Sequence, residues 1–97
     1  VLEHINKNEE NIFLTNTCKA LKPKGIFICG MPSIESQQYA SKESKEGHVN
    51  CKTQEDTKKM FDNFFDYVFI FSMNDEVVHT GYSRMSHYNL ALCANKK

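Results

Sequence analysis

Leu21-Lys22-Pro23-Lys24-Gly25-Ile26-Phe27-Ile28-Cys29 is the stretch that decides the fold class. Pro23 and Gly25, set between lysines, stop whatever helix comes before them. The four residues after Gly25 are β-branched, aromatic or small and apolar, with no polar alternation. Such a run reads as a strand covered on both faces, the kind that parallel sheets produce. Gly30 and Pro32 end it. Upstream, Asn8 to Leu21 reads as a helix: Leu14, Cys18 and Leu21 recur at i, i+4 and i+7, with Phe13 and Thr17 beside them. Glu9 and Glu10 open this segment and Lys19 and Lys22 close it, which suits the helix dipole.

Downstream, Ser33 to Lys52 has no apolar periodicity and reads as a long polar connection, with a helical turn near Gln37 to Ala40. Loops of that length in compact domains are functional or disordered, so this is the expected mobile stretch. Thr53 then fits a helix N-cap, with Asp56 three residues on. Thr57, Met60, Phe61 and Phe64 form the stripe of a second helix that ends near Phe65. Tyr67 to Phe71 is a second uninterrupted strand. Ser72 to Ser86 reads as a loop with a turn at Gly81, in which Val77 and Val78 extend a strand locally. His87 to Asn95 alternates, with Tyr88, Leu90, Leu92 and Ala94 on one side, and reads as the final strand. The predicted core is Ile26, Ile28, Val68, Ile70, Leu90 and Leu92, with Leu14, Leu21, Phe61 and Phe64 packed on them.

The order is helix, strand, helix, strand, strand. A helix between the first two strands implies a right-handed parallel crossover, and the last pair can run antiparallel. This is an α/β layout, yet three strands with two helices cannot cover both faces of a sheet.

Ninety-seven residues allow a single domain over 1–97, able to bury roughly two-thirds of the unfolded chain's surface. Twelve basic side chains balance twelve acidic ones, so no net field steers the chain to nucleic acid or anionic lipid. No apolar run approaches the ~20 residues of a membrane span, and no signal peptide is visible. The first residue is Val1 rather than Met, as expected of a fragment or part of a longer protein. Cys18, Cys29, Cys51 and Cys93 form no Cys-x-x-Cys pair, and three of them sit among apolar residues. Reduced thiols and a cytoplasmic location are the expectation.

Three places could carry chemistry. His48, in Gly47-His48-Val49-Asn50, closes the polar loop, and His79 shares a loop with Asp75 and Glu76. Either imidazole could serve as a base, although loop histidines are more often simply solvated. His4 follows Glu3 and by composition alone is a surface acid–imidazole pair. No histidine or cysteine pair has metal-ligand spacing. No phosphate-binding glycine loop or nucleophile elbow is present. The aromatic residues from Phe61 to Phe71 are spaced as core rather than as a base-stacking platform.

Two motifs add a resemblance. Val1-Leu2-Glu3-His4-Ile5 resembles the segment after the fourth strand in many class I S-adenosylmethionine-dependent methyltransferases. Leu21-Lys22-Pro23-Lys24-Gly25-Ile26-Phe27-Ile28 resembles their Leu-Lys-Pro-Gly-Gly turn into the fifth strand, with Lys24 in place of the first glycine. The final strand, loop and strand are similar to the sixth and seventh strands, the last being antiparallel. The resemblance implies the C-terminal half of such an enzyme: a partial Rossmann-like sheet of the last three strands and two helices. S-adenosylmethionine is then the cofactor of the full-length protein, and a small molecule or sugar-like compound is the acceptor. Leu2, Glu3 and His4 inherit a place beside the cofactor, and His48 or His79 that of a catalytic base. The family's Gly-rich cofactor loop and ribose-binding acid have no counterpart here, so this chain alone is expected to be inactive. The alternative is a non-catalytic, methyltransferase-like module that self-associates. In either case an open, apolar edge at Ile26 to Cys29 leads to the expectation of a homo-oligomer.

Overall fold

The computed structural model describes residues 2–39, 41, 42, 47 and 50–97. Two helices lie against a four-stranded, wholly antiparallel open sheet. The first helix, α1, spans Lys7–Ala20, one residue earlier at each end than its periodicity predicts. Its last carbonyls are held by the Lys96 ammonium, which donates to the carbonyls of Cys18 and Leu21. A cation there satisfies orphan acceptors and opposes the helix dipole. The second, α2, spans Gln54–Asp62 and begins as predicted, with the Thr53 hydroxyl accepting from the Asp56 amide at 3.1 Å. It buries Thr57, Met60 and Phe61.

The strands are β1 (Ile26–Pro32), β2 (Phe65–Asn74), β3 (Val77–His79) and β4 (Tyr88–Lys96), in the spatial order β1-β4-β2-β3. Because β4 pairs antiparallel with both β1 and β2, those two run in the same direction without touching. The crossover through α2 therefore joins parallel strands separated by one strand. A fourth strand, β3, occupies part of the predicted loop. Asn74 pairs with Val77, leaving Asp75 and Glu76 as a two-residue hairpin turn. Asp75 takes φ 50°, the left-handed conformation that such turns require and that aspartate tolerates. Gly81 is needed for space rather than rotation: a Cβ there would sit 2.8 Å from His79 Nδ1.

Strand pairing sorts the side chains into two faces. The inner face carries Phe27, Cys29 and Met31 of β1, Asn89, Ala91 and Cys93 of β4, and Val68, Ile70 and Ser72 of β2. Leu14 of α1 and Met60 and Phe61 of α2 close onto it, joined by Leu2 and Phe65. Phe27 meets the Phe61 ring edge-on at 6.0 Å and stacks on Phe65 at 6.2 Å. Leu14, Phe61 and Val68 are core as predicted, and Leu21, Phe64 and Ile70 pack partly buried against it.

Four predicted core residues are not there. Ile26 and Ile28 are 60% and 65% exposed, and Leu90 and Leu92 lie with them on the outer face. The physical reason is space. Where helices press on β4, the strand presents Asn89, Ala91 and Cys93, each essentially buried, and its larger side chains go to the other side. That outer face also carries Tyr67, Phe69, Phe71, Met73, Val78, Tyr88 and Ala94. No described element covers it. Of the long polar connection, Glu35–Tyr39 forms a short 3-10 helix close to the predicted turn, while residues 40, 43–46, 48 and 49 lie outside the described residues.

Candidate functional site

The carboxyl ends of β1 and β2 meet the start of β4 at one end of the sheet, the place where open α/β sheets hold ligands. The chain fills this end with a buried polar seam. Ser33, one residue past β1, donates its hydroxyl to the Ser86 carbonyl at 2.6 Å, and its backbone amide donates to the His87 carbonyl at 3.0 Å. The Ser86 hydroxyl reaches Asn89 Oδ1 at 3.1 Å, and Asn89 Nδ2 donates to the Lys52 carbonyl at 3.3 Å. Gln54 Nε2 donates to the Ser72 hydroxyl at 2.7 Å. Ser33, Ser72, Ser86 and Asn89 are all buried. Such a network is costly to break and holds its loops rigidly.

A second buried group adjoins it. Glu10 of α1 pairs with the Lys52 ammonium at 3.4 Å and accepts from Asn50 Nδ2 at 3.2 Å. Asn50 is 1% exposed, and its Oδ1 has no partner among the described residues. The Asn50 amide donates to the Glu3 carbonyl at 3.0 Å, tying the chain's first turn, Leu2–His4, to the end of the long connection.

The residues singled out by resemblance fall as follows. Leu2 and Glu3 are buried, and His4 is exposed. His4 Nδ1 donates to the Gly47 carbonyl at 2.6 Å, and its Nε2 lies 3.7 Å from the Glu3 carboxylate. His48 lies outside the described residues. His79 has both ring nitrogens committed. The Gly81 amide donates to Nδ1 at 2.9 Å, so the proton sits on Nε2, which donates to Asn74 Oδ1 at 2.9 Å. Asn74 Nδ2 in turn donates to the Met85 carbonyl at 3.0 Å. His79 so placed has no free lone pair for proton abstraction and instead positions the segment before β4. Neither Asp75 nor Glu76 bonds its ring.

Two of the grooves formed by the described residues lie at opposite ends of the sheet. One, of about 290 Å³, lies between the short helix Glu35–Tyr39 and the 3-10 turn Ser83–Met85, directly above the polar seam. The other, of about 320 Å³, sits at the opposite end of the sheet between the C-termini of α1 and α2. Of the three lysines that line it, Lys96 is already committed to helix carbonyls, and the first groove, lined by Glu35, Arg84 and His87, has the more varied chemistry. Burial raises the thiols of Cys18, Cys29 and Cys51, and pushes Cys93 up to about 12 with help from the neighbouring Cys29 and Cys18. All four are free and poorly nucleophilic. Among the described residues no cluster of three metal-ligating side chains occurs, and no helix is long and apolar enough to cross a membrane.

No protein-family model, curated protein or solved structure matches the chain.

Proposed function

We propose that this chain is the acceptor-binding, C-terminal half of a class I S-adenosylmethionine-dependent methyltransferase, with a Rossmann-like sheet and a small-molecule acceptor. The observation that carries the reading is the strand order. The last strand in sequence, β4, lies antiparallel between β1 and β2, which run parallel to each other. In the family the seventh strand stands in that relation to the fifth and sixth. The short turn Leu2–His4 packs at the carboxyl end of β1, tied there through Asn50, which suits a place beside a cofactor. The two connections that would shape the acceptor side meet at that same end. The test is calorimetric titration of S-adenosylmethionine into the full product of the gene and, separately, into this 97-residue chain. Binding by the first and not the second is the expected pair, and His4→Ala should weaken it. Failure of the full product to bind removes the reading.

A second reading, a self-associating module without catalysis, is favoured by the outer face. Ile26, Ile28, Tyr67, Phe69, Val78 and Tyr88 are each about half exposed or more. At on the order of 100 Å² apiece for side chains of this size, they offer roughly 600 Å². That is about three-quarters of the roughly 800 Å² per partner of a standard interface. A second copy presenting the same face would bury it by two-fold symmetry. Light scattering at micromolar concentration tests this: the mass of a single chain would refute it.

A further inference from the structure

We infer that two copies of this chain pack outer face to outer face with their strands crossed at about 90°, so that the acidic hairpin tip of each copy meets a basic corner of the other. The inference rests on the self-association reading for the existence of the dimer and adds its arrangement. Register lays the outer face out in rows across the sheet. Ile26, Ala94 and Tyr67 share one row, and Ile28, Leu92 and Phe69 the next. Gly30, Leu90 and Phe71 follow, and Pro32, Tyr88, Met73 and Val78 complete the face. Among the described residues no charged side chain stands on these rows, so a like face can approach without burying an unpaired ion. A Cβ on Gly30 would stand 3.0 Å from Leu90 Cδ2, so Leu90 lies close over the glycine and fills the gap in its row. The area suits a second copy. The six most exposed side chains supply roughly 600 Å². Leu90, Leu92, Phe71 and Met73, each partly exposed, bring the face toward the roughly 800 Å² per partner of a stable interface.

Charge at two diagonally opposite corners selects the arrangement. β1 is one edge of the sheet and β3 the other. Lys22 and Lys24 stand at the start of β1, and at the far end of the opposite edge the β2–β3 hairpin turns through Asp75 and Glu76. All four are exposed, and none is in an ion pair among the described residues. A two-fold axis between the sheets has three simple directions. Along the strands, it sets each tip over the partner's end of β1, where the acid Glu35 follows. Across the strands, it sets the tip over the partner's start of β2, where Asp66 offsets Lys97. Along the diagonal from the end of β1 to the start of β2, it sets each tip over the partner's Lys22 and Lys24. That direction opposes two acids to two bases, twice by symmetry, and crosses the strands at about a right angle, one of the two packings that sheets adopt. Four strands and seven residues make a face of roughly 14 by 20 Å, square enough that a quarter turn leaves little of it uncovered.

The test is light scattering of the 97-residue chain over a range of micromolar concentrations, with Glu76→Lys, Lys24→Glu and the double variant beside the parent. Each single reversal sets like charges together at both symmetry-related contacts and should raise the dimer dissociation constant about tenfold. The double variant opposes unlike charges again and should recover most of that loss. Both positions are exposed, so the circular dichroism spectrum should not change. Carbodiimide cross-linking of the parent chain should join Lys22 or Lys24 of one copy to Asp75 or Glu76 of the other, a bond that one chain cannot make across its own diagonal. Single variants that dimerise as tightly as the parent, no recovery in the double variant, or cross-links that join Asp75 or Glu76 to Lys97 instead would overturn the crossed arrangement and leave the self-association reading standing. The mass of a single chain at every concentration would remove both.

Discussion

Phe61→Ala measures how far the fold depends on one ring. Phe61 is fully buried on α2, edge-on to Phe27, which is itself stacked on Phe65. Truncation to alanine removes on the order of 120 Å² of buried apolar surface, about 3 kcal/mol at 25 cal/mol per Å². Loss of the edge contact adds about 0.5–1.5 kcal/mol. Phe27 is pinned by strand pairing and by Phe65, so the hole cannot close by a simple rotation, and the total falls in the range of about 3–5 kcal/mol. A chain of this length is stable by about 5–15 kcal/mol in all, so the variant should stand near the limit of folding. Urea unfolding followed by circular dichroism is the assay. With a slope near 2 kcal/mol per M, the midpoint should fall by about 2 M. If Phe61→Ala is already unfolded in buffer, Phe61→Leu should show a smaller loss of about 1 kcal/mol. A loss under about 1 kcal/mol for the alanine variant would show that α2 does not close the core through this face.

Other outcomes follow from the same geometry. Thr53→Ala removes the acceptor for the Asp56 amide and should cost about 1 kcal/mol in the same assay; no change would mean that α2 is not capped there. Cys93, with its thiol pushed up to about 12 from 9.0, should resist iodoacetamide in the folded chain near pH 8 and react once urea exposes it. The folded state holds this proton more tightly than the unfolded state, so stability should fall as pH rises above about 9; a rise over that range would contradict the burial of Cys93. Phe69→Lys, in the middle of the outer face opposite Leu92, should abolish self-association in light scattering while leaving the unfolding midpoint of the single chain nearly unchanged.

Local signals were the legible ones. The stop at Pro23 and Gly25, the cap at Thr53 and the stripe of Thr57, Met60 and Phe61 each depend on residues close in sequence; α1 forms within a residue of its expected bounds, and α2 starts where expected but ends at Asp62, short of the expected Phe65, which already belongs to β2. The alternation of β4 was equally plain, but a period of two says only that the faces differ. Taking Tyr88, Leu90, Leu92 and Ala94 for the core face assumed that the bulkier side is buried. Close helix packing selects the smaller one instead, with Asn89, Ala91 and Cys93. The hairpin at Asp75 was hidden because its turn uses Asp-Glu rather than a glycine pair. The polar seam left no spacing to read. Glu10, an ordinary first-turn acid in sequence, is buried against Lys52 and Asn50, and Ser33 meets Ser86 across 53 residues. The groove is assembled the same way, with Glu35 and Arg84 drawn from two separate loops. Such sites arise from topology, and no periodicity announces them.

The position of β4 also governs when the sheet can exist. Every ladder that joins β1 to β2 passes through this strand, which follows both of them in the chain. Among the described strands, β1, α2 and β2 therefore emerge during synthesis with just the short β2–β3 hairpin available to pair. Ile26 must wait for Ala94, a closure over most of the chain, and long-range closures of this kind slow folding. Until then Ile26 to Cys29 and Tyr67 to Phe71 are apolar strands without their β4 partner, the kind of species prone to aggregate. A nascent chain arrested before Tyr88 should thus be a client for chaperones, and release of β4 is the event that commits it to the native state.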